Sequence, residues 1–164
     1  MIEIAPIVPA HIDSFHRTLD TMARERRYLA MLEAPPLENP RSFVQDNISQ
    51  GHARFTALSD GEVVGWCDAT PKRLPIHRHV GVLGMGVLPA YRGQGIGRRL
   101  ISRTLDAARA RGLTRVELTV REDNSGAIAL YQKVGFAAEG VQRHAFKVDG
   151  CYHNLILMAV LFPD

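Results

Sequence analysis

The sequence has few cysteines, no long apolar segment and little excess charge. Its two cysteines, Cys67 and Cys151, are too few for a disulfide framework and form no ligand pair, and the histidines show no metal-ligand spacing. No apolar run approaches the roughly 20 residues that a membrane-spanning helix needs. Residues 1–4 also lack the basic start and apolar middle of a signal peptide. We therefore expect a cytoplasmic protein with no metal and no membrane partner.

The charge balance is equally mild. A formal net charge of +3 on 164 residues suits an anionic ligand but does not imply nucleic acid. The hydrophobic fraction of 46% and the charged fraction of 23% are ordinary for a globular protein, and the length suits one domain with a proper core. We expect a single domain over residues 1–164 that does not bind nucleic acid.

Hydrophobic periodicity predicts a mixed α/β (α+β) domain around one sheet, with helices on both faces. The predicted strands are residues 2–8, 52–58, 63–70, 80–88, 115–121, 136–139 and 153–161. The predicted helices are residues 11–32, 39–49, 96–111 and 124–134. Asn39 is the expected cap of the second helix, because it precedes a proline in the first turn. Asp60-Gly61 and Asp149-Gly150 are expected turns between strands.

The most informative segment runs from Gly86 to Leu100. It leads from an apolar stretch, through a proline turn and three closely spaced glycines, into a helix. Glycines leave backbone N–H groups uncovered, and the helix N-terminus adds about half a positive charge. Such a turn holds an anion, most often a phosphate or pyrophosphate. The glycines are Gly93, Gly95 and Gly97, and the arginines around them are Arg92, Arg98 and Arg99.

Two common phosphate-binding motifs do not fit this segment. A mononucleotide-binding loop needs Lys-Ser or Lys-Thr after the glycines, and neither follows here. A Rossmann turn needs Gly-x-Gly-x-x-Gly after a first strand, with an acidic residue about 20 positions later. Here Gly93-Gln94-Gly95-Ile96-Gly97 has a different spacing and lies past the middle of the chain.

The pattern Val87-x-Pro89-x-x-Arg92-Gly93-x-Gly95-x-Gly97 instead resembles the acyl-CoA signature of the GNAT superfamily of N-acetyltransferases. The segment from Asn124 through Tyr131 to Gly135-Phe136 is similar to the family's second CoA motif, Asn-x-x-Ala-x-x-x-Tyr-x-x-x-Gly-Phe. The predicted order of elements matches as well. The resemblance implies a GNAT-like single domain with a central, mostly antiparallel, twisted sheet of about six to seven strands. It also implies acetyl-CoA as co-substrate and no metal.

The resemblance further implies which residues bind the cofactor. Backbone groups of a glycine-bulged strand, at Met85 and Val87, would hold the pantetheine arm like an added strand. The glycine turn would wrap the pyrophosphate, and Asn124 would bind the pantetheine or the upper phosphate region. A plain helix N-cap for Asn124 and a solvated position for Arg98 are the structural alternatives. The predicted set is Met85, Gly86, Val87, Arg92, Gly93, Gln94, Gly95, Ile96, Gly97, Arg98, Asn124 and Tyr131.

By the same resemblance, Tyr131 occupies the position of the general acid, whose phenol would donate a proton to the departing thiolate. A buried packing role is the alternative for this residue. The backbone N–H of Val87 is the candidate for polarising the thioester carbonyl. We expect direct attack by the amine, because neither cysteine has visible His and acid partners. Relatives that acetylate protein N-termini often carry a Glu at the position of Thr119. Glu117, Glu33 and a water chain are the other candidate proton acceptors, and we assign no base.

The acceptor is constrained least. In this fold its site comes from segments that match residues 28–40, 74–79 and 143–153 here. Their side chains look like a small polar pocket made of Tyr28, Glu33, His77, His79, His144, Tyr152 and His153. The candidate substrate residues are Glu33, Glu117, Thr119 and His153. The segment 139–158 resembles the branch that acetylates amino acids and small amines, including phosphinothricin-type resistance enzymes; a plain closing hairpin is the alternative.

We therefore expect an N-acetyltransferase that moves an acetyl group from acetyl-CoA to the primary amine of a small molecule, within a ternary complex. An amino acid, an amino-acid analogue or a simple amine would serve as acceptor. A protein N-terminal or lysine acetyltransferase is the alternative, and a non-catalytic CoA-binding module is a more distant one. The apolar run 155–162 is compatible with a homodimer interface, which is common in the family, and equally with a buried central strand.

Overall fold

The computed structural model describes residues 1–163. Its strands are β1 (Ile2–Pro6), β2 (Ala53–Ser59), β3 (Glu62–Pro71), β4 (Val80–Val87), β5 (Arg115–Arg121), β6 (Ala137–Val148) and β7 (Cys151–Leu161). Its helices are α1 (Ile12–Arg24), α2 (Glu38–Gln50), α3 (Ile96–Ala110) and α4 (Ser125–Lys133). No helix among these residues is long and apolar enough to cross a membrane.

The strands form one sheet in the order β1-β2-β3-β4-β5-β7-β6. Neighbouring strands are antiparallel except β4 and β5, which are parallel. Helices α1 and α2 cover one face through a core cluster that includes Phe15, Val44 and Trp66. Helix α3 covers the opposite face through Leu100 and Ile101, which are fully buried. The expected mixed α/β sheet with helices on both faces is confirmed.

Helix α1 is shorter than its predicted range of 11–32. It ends at Arg24, and its last buried side chain is Ala23. The following Arg24-Glu25-Arg26-Arg27 offers no apolar side chain to the core, and Arg26 takes a φ of +55°, which ends the helical geometry. The apolar residues after it lie in a loop that becomes part of the site described below.

Two other boundaries differ from the sequence prediction. The predicted cap at Asn39 is wrong, because α2 begins at Glu38 and Leu37 occupies the N-cap without a side-chain hydrogen bond. The last two strands are longer than predicted. Asp149 and Gly150 both take positive φ, at +50° and +80°, and make a tight turn that keeps β6 and β7 paired up to the turn itself.

The sheet opens at its centre. Strands β4 and β5 pair only where Val80–Val82 faces residues 115–117. Beyond this point β4 stays paired with β3, and β5 stays paired with β7, as far as the ends of both strands. The two halves of the sheet therefore separate between β4 and β5, at the ends where the chain leaves each strand. The gap between them forms a cleft.

Candidate active site

The cleft between β4 and β5 has a volume of about 770 Å³. One wall is the end of β4, from Leu83 to Val87, and the other is Leu118–Val120 of β5. The glycine turn and the start of α3 close one end, and the first two turns of α4 lie beside it. The loop after α1 and one residue of β6 close the other end. The residues at that end are Tyr28, Leu29, Ala30 and Phe146.

Strand β4 presents backbone groups to the cleft without the predicted bulge. Its register with β3 runs without a shift from Gly81↔Pro71 to Val87↔Gly65. The N–H of Leu88 donates to the C=O of Val64 at 2.9 Å, so Val87 and Gly65 form a non-hydrogen-bonded pair. The N–H and C=O groups of Val87 therefore point away from β3, towards the cleft. The same alternation turns those of Met85 to the cleft, because Met85 lies two residues earlier.

The strand glycines have a different cause from the predicted bulge. A Cβ atom on Gly86 would lie 2.5 Å from the indole ring of Trp66, and one on Gly81 would lie 2.7 Å from a methyl carbon of Leu113. These glycines thus make room for core side chains on neighbouring elements. The backbone faces the cleft because β5 diverges, and the prediction of a bulge is wrong.

The glycine turn is an open cradle of donors. Gly93 and Gly95 take φ of +73° and +78°, and a Cβ atom on either would point into free space. Among the described residues, no backbone N–H of residues 93–98 donates a hydrogen bond to another residue. Helix α3 begins at Ile96, so its positive dipole end lies at the same place. Unpaired N–H groups at a helix N-terminus suit the pyrophosphate of a CoA molecule.

The charged side chains around this cradle differ from one another. Arg92 is tied into the protein: its Nε donates to the C=O of Val87 at 2.9 Å, and its terminal nitrogen lies 2.7 Å from Oε1 of Glu25. Gln94 donates to the C=O of Ala90 at 3.2 Å and is not part of the cleft lining. Arg98 lines the cleft and forms no ion pair among residues 1–163. Arg98 is therefore the arginine that is available to an anion there.

Asn124 and Tyr131 both line the cleft from the α4 side. Asn124 is the N-cap of α4, and its Oδ1 accepts from the N–H of Ala127 at 3.3 Å, which leaves its amide NH₂ for a ligand. Tyr131 is 8% exposed and packs on Phe136, with ring centroids 5.8 Å apart. Its hydroxyl forms no hydrogen bond with another of the described residues. Burial, with a smaller contribution from Cys67, raises the pKa of Tyr131, so the phenol keeps its proton.

The candidate substrate residues do not gather at one place. Thr119 is exposed and lines the cleft. Glu117 lies where β4 and β5 still pair, and its carboxylate bonds to Lys72 at 2.5 Å and to Arg115 at 2.9 Å. Burial alone would raise the pKa of Glu117, but these two cations outweigh it and lower the pKa. Glu33 is exposed and 3.6 Å from Arg24, and neither it nor His153 lines the cleft.

The predicted small polar pocket is not formed as a unit. Of its members only Tyr28 lines the cleft. His77 and His79 lie before β4, at the end of the sheet where β4 and β5 are still joined, and the C=O of His79 accepts from Thr114. His144 and Tyr152 stack on each other at 4.4 Å on the β6–β7 hairpin. The prediction of a small polar pocket is therefore wrong, because the fold carries most of these side chains to places away from the cleft.

Several cleft residues were missed by the sequence reasoning. Leu29, Ala30 and Phe146 line the acceptor end, and Asp123 joins them from the β5–α4 loop. Leu29, Ala30 and Phe146 fall within the segments 28–40 and 143–153 that were expected to form the acceptor site, but their apolar side chains were not among the expected site residues. Asp123 belongs to no motif. In the described part of the chain, no group of three or more His, Cys, Asp or Glu residues is placed to hold a metal ion.

Comparison with known proteins shows that the chain is similar to acetyltransferases. The sequence model of the Acetyltransferase (GNAT) family matches residues 17–136. The N-alpha-acetyltransferase RimI of Mycobacterium tuberculosis is 39% identical over 117 residues, which cover 68% of each chain. The spermidine N(1)-acetyltransferase of Escherichia coli is 30% identical over 112 residues, covering 68% of this chain and 59% of that enzyme.

A solved structure shows the same fold over nearly the whole chain. The GNAT superfamily phosphinothricin acetyltransferase of Sinorhizobium meliloti, in complex with acetyl-CoA, superimposes with a TM-score of 0.91. It covers 98% of this chain and 88% of its own, at 19% identity. All three are named as acetyltransferases, and their names indicate different acceptors.

Proposed function

Since the chain belongs to the GNAT family of acetyltransferases and is an acetyl-CoA-dependent N-acetyltransferase, we propose that it acetylates the primary amine of a small molecule. An amino acid, an amino-acid analogue or a simple amine is the proposed acceptor, and attack is direct within a ternary complex. The observation that carries the proposal is the cleft itself. It joins an open set of N–H donors to a neutral phenol and ends at a wall that includes Tyr28, Leu29 and Phe146. We also propose that the reaction takes place in the cytoplasm, where acetyl-CoA is available.

The donor half of the cleft would offer groups to the pyrophosphate and to the pantetheine arm of CoA. The N–H groups of residues 93–98 and the guanidinium of Arg98 would hold the pyrophosphate. The cleft-facing backbone of Met85 and Val87 would pair with the pantetheine amides, as an added strand does. The amide NH₂ of Asn124 would donate to the same arm. When bound, acetyl-CoA supplies an acetyl group already activated as a thioester.

The chain's own groups then serve the transfer. The N–H of Val87 is placed to polarise the carbonyl, whose oxygen becomes negative as the amine nitrogen forms its bond to carbon. When the carbon–sulfur bond breaks, the phenol of Tyr131 hydrogen-bonds to the departing sulfur and gives it a proton. With its raised pKa, the phenol of Tyr131 is a weaker acid than a thiol of pKa about 8.5. The phenolate that remains is therefore reprotonated through solvent, by the proton that the attacking nitrogen loses.

No side chain is assigned as the base. The position where relatives often carry Glu holds Thr119, and the carboxylate of Glu117 is engaged by Lys72 and Arg115. An amine that reaches the cleft neutral needs no strong base, because the proton that it loses after attack can pass to water. This supports loss of the proton through solvent at the exposed side of Thr119.

One observation favours the second candidate, an N-terminal protein acetyltransferase. The most extended curated match described above carries the name of an N-alpha-acetyltransferase. A peptide N-terminus would enter the same cleft with its α-amine first, and the acceptor end would then have to accommodate the residues that follow.

Homodimerisation through β6 and β7 is a further proposal for this chain. Its exposed side chains there include Val141 and Tyr152.

A panel of acceptors separates these functions. Purified protein is incubated with acetyl-CoA and, separately, with free amino acids, simple amines and peptides that have free N-termini, and CoA thiol release is measured. The proposal predicts release with small amines or amino acids and little with peptides. Release with peptides only would establish the second candidate. No release above the hydrolysis background with any acceptor would favour a module that binds CoA without turnover.

A further inference from the structure

Residues 26–30, here called the strap, connect the two halves of the opened sheet. The strap leaves α1, which packs on β3 and β4, and reaches groups on β5 and on the β6–β7 turn. It therefore crosses the line along which β4 and β5 separate. Tyr28, Leu29 and Ala30 line the cleft from this position. The contacts that fix the strap therefore also fix the wall of the acceptor end.

The first attachment is an ion pair between the strap and the β6–β7 turn. Nε and a terminal nitrogen of Arg26 donate to the two carboxylate oxygens of Asp149, at 3.2 and 2.6 Å. Arg26 and Asp149 both have a left-handed backbone conformation, with φ of +55° and +50°, which neither a helix nor a strand would give. The mutual hydrogen bonds lower the pKa of the Asp149 carboxyl. The pair bridges 123 positions of sequence.

The second attachment is Arg121, the last residue of β5. Its side chain is only 7% exposed and forms a two-bond pair with Asp123, at 3.0 and 2.7 Å. A terminal nitrogen of the same guanidinium donates to the C=O of Arg27 in the strap. The guanidinium carbons of Arg121 and Arg27 lie 5.8 and 5.4 Å from the centre of the Tyr28 ring. The ring is therefore held beside two cations.

We propose that Arg121 is a positioning residue that, with the Arg26–Asp149 pair, fixes the strap as the acceptor wall and so limits the girth of the amine that can react. The inference rests on the proposed acetyl transfer to an amine. Arg121 does not itself line the cleft; it acts through the backbone of Arg27 and the ring of Tyr28. A fixed strap admits an amine on a narrow chain and excludes one that carries bulk beside the nitrogen.

The chain offers a matched control for the ion pair. Asp60 occupies the same kind of turn as Asp149, with φ of +50° before a glycine at +82°, but it forms no ion pair among the described residues. Asparagine tolerates positive φ, so Asp149→Asn and Asp60→Asn remove one charge each without disturbing the turn. The amide hydrogen exchange of residues 26–31 should become about two- to five-fold faster in Asp149→Asn, as expected for an exposed ion pair. It should stay unchanged in Asp60→Asn.

Selectivity is measured with two primary amines whose carbon groups differ in width, n-hexylamine and 1-adamantylmethylamine. The ratio of kcat/KM for the bulky amine to that for the narrow amine should rise about two- to five-fold in Asp149→Asn. It should rise about ten-fold or more in Arg121→Gln, which loses hydrogen bonds from a buried charge. Arg121→Lys, which keeps the charge but not the planar donor pair, should restore part of the wild-type ratio. The KM for acetyl-CoA should stay within two-fold throughout, since a distorted donor end would raise it.

Two results would overturn the proposal. One is equal exchange rates for Asp149→Asn and Asp60→Asn together with an unchanged rate in Arg121→Gln, because the strap would then be held by something else. The other is faster exchange without any change in the ratio, because the strap would then not select. If neither amine is acetylated, the proposed transfer to simple amines has failed. The exchange comparison then decides by itself whether Arg121 and Asp149 hold the strap.

Discussion

The two ends of the cleft are built in different ways. The donor end consists mainly of backbone: N–H groups of residues 93–98, the cleft-facing groups of Met85 and Val87, and a helix terminus. The acceptor end is held by side chains that bridge the gap: Arg121 donates to the backbone C=O of Arg27 in the strap, and Arg26 of the strap donates to Asp149. In the proposed function, the first would bind CoA, which is the same for every acceptor, and the second would meet the acceptor amine.

This difference has a physical basis. Backbone donors are fixed by the local turn, and they change only if the turn changes, so a short run of glycines is enough to encode them. The contacts that hold the strap instead join residues far apart in the sequence, and an exposed pair such as Arg26–Asp149 can be replaced at little cost to the fold. The acceptor end is thus free to vary while the donor end stays as it is.

The most direct way to break the comparison is to remove the donor-end side chain that is proposed to take part in the transfer itself. Tyr131→Phe keeps the ring that packs on Phe136 but removes the phenolic proton. A general acid contributes a factor of about 100 or more, so kcat should fall by that amount while the KM for acetyl-CoA stays nearly constant. The measurement is CoA thiol release at saturating acceptor.

Tyr152→Phe is the matched control, because this tyrosine stacks on His144 away from the cleft and should leave kcat unchanged. If Tyr131→Phe retained the full rate, its ring would be a packing element and the sulfur would take its proton from water. The contrast between a catalytic donor end and a selective acceptor end would then lose its main support.

A smaller effect tests whether the turn binds through its backbone. Gly95→Ala forces an L residue to a φ of +78°, and Gly61→Ala does the same at +82° in the β2–β3 turn, with free space around both sites. Each should lower the free energy of unfolding by about 1–2 kcal/mol. Only Gly95→Ala should also raise the Kd for CoA, by about ten-fold, because its turn carries the N–H donors. Calorimetric titration with CoA measures it.

Equal Kd values for the two alanine variants would show that strain in the turn does not matter to the ligand. The cradle would then depend on side chains, as the acceptor end does.

The sequence located the glycine turn and helix α3 but not the position of the strap, and the reason lies in how local each feature is. The spacing of Gly93, Gly95 and Gly97 is local, so the phosphate turn and the helix after it could be read directly. The strap could not, because its position depends on Arg121 and Asp149, which lie about a hundred positions away. The periodic pattern even extended α1 through it, since Leu29 and Leu32 fit a helical repeat.

The prediction of a bulged β4 failed in an instructive way. A glycine in a strand shows that something comes close, but not what it is. At Gly86 the neighbour is Trp66 of β3, a contact that a single sequence does not reveal. The consequence expected from the bulge, backbone groups facing the cleft, arises instead from the divergence of β5.

A finer comparison within the donor end concerns its arginines. Arg98→Gln should raise the Kd for CoA about three- to five-fold at low salt, and the difference should shrink as salt rises, because the lost interaction is an exposed charge on a phosphate. Arg92→Gln should instead lower the free energy of unfolding by about 1 kcal/mol, through loss of its bonds to Val87 and Glu25. Titrations at two ionic strengths and a denaturant curve separate the two. A larger, salt-sensitive Kd effect from Arg92→Gln would reverse these assignments.

The smallest expected effect concerns the pH dependence of kcat/KM, which should show no fall at alkaline pH. The reason lies in the pKa shifts of one group at each end of the cleft. Burial raises the pKa of Tyr131, so the phenol stays protonated above the ordinary value of about 10. The hydrogen bonds from Arg121 lower the pKa of Asp123, so that pair persists until the pH falls below the ordinary value of about 3.9. With glycinamide as acceptor, whose α-amine has a pKa of about 8, kcat/KM should rise to a plateau near pH 9 and stay level to pH 10. A fall with a midpoint below pH 10 that disappears in Tyr131→Phe would show that the phenol ionises early. The hydroxyl of Tyr131 would then be more accessible to solvent than the burial of its side chain indicates.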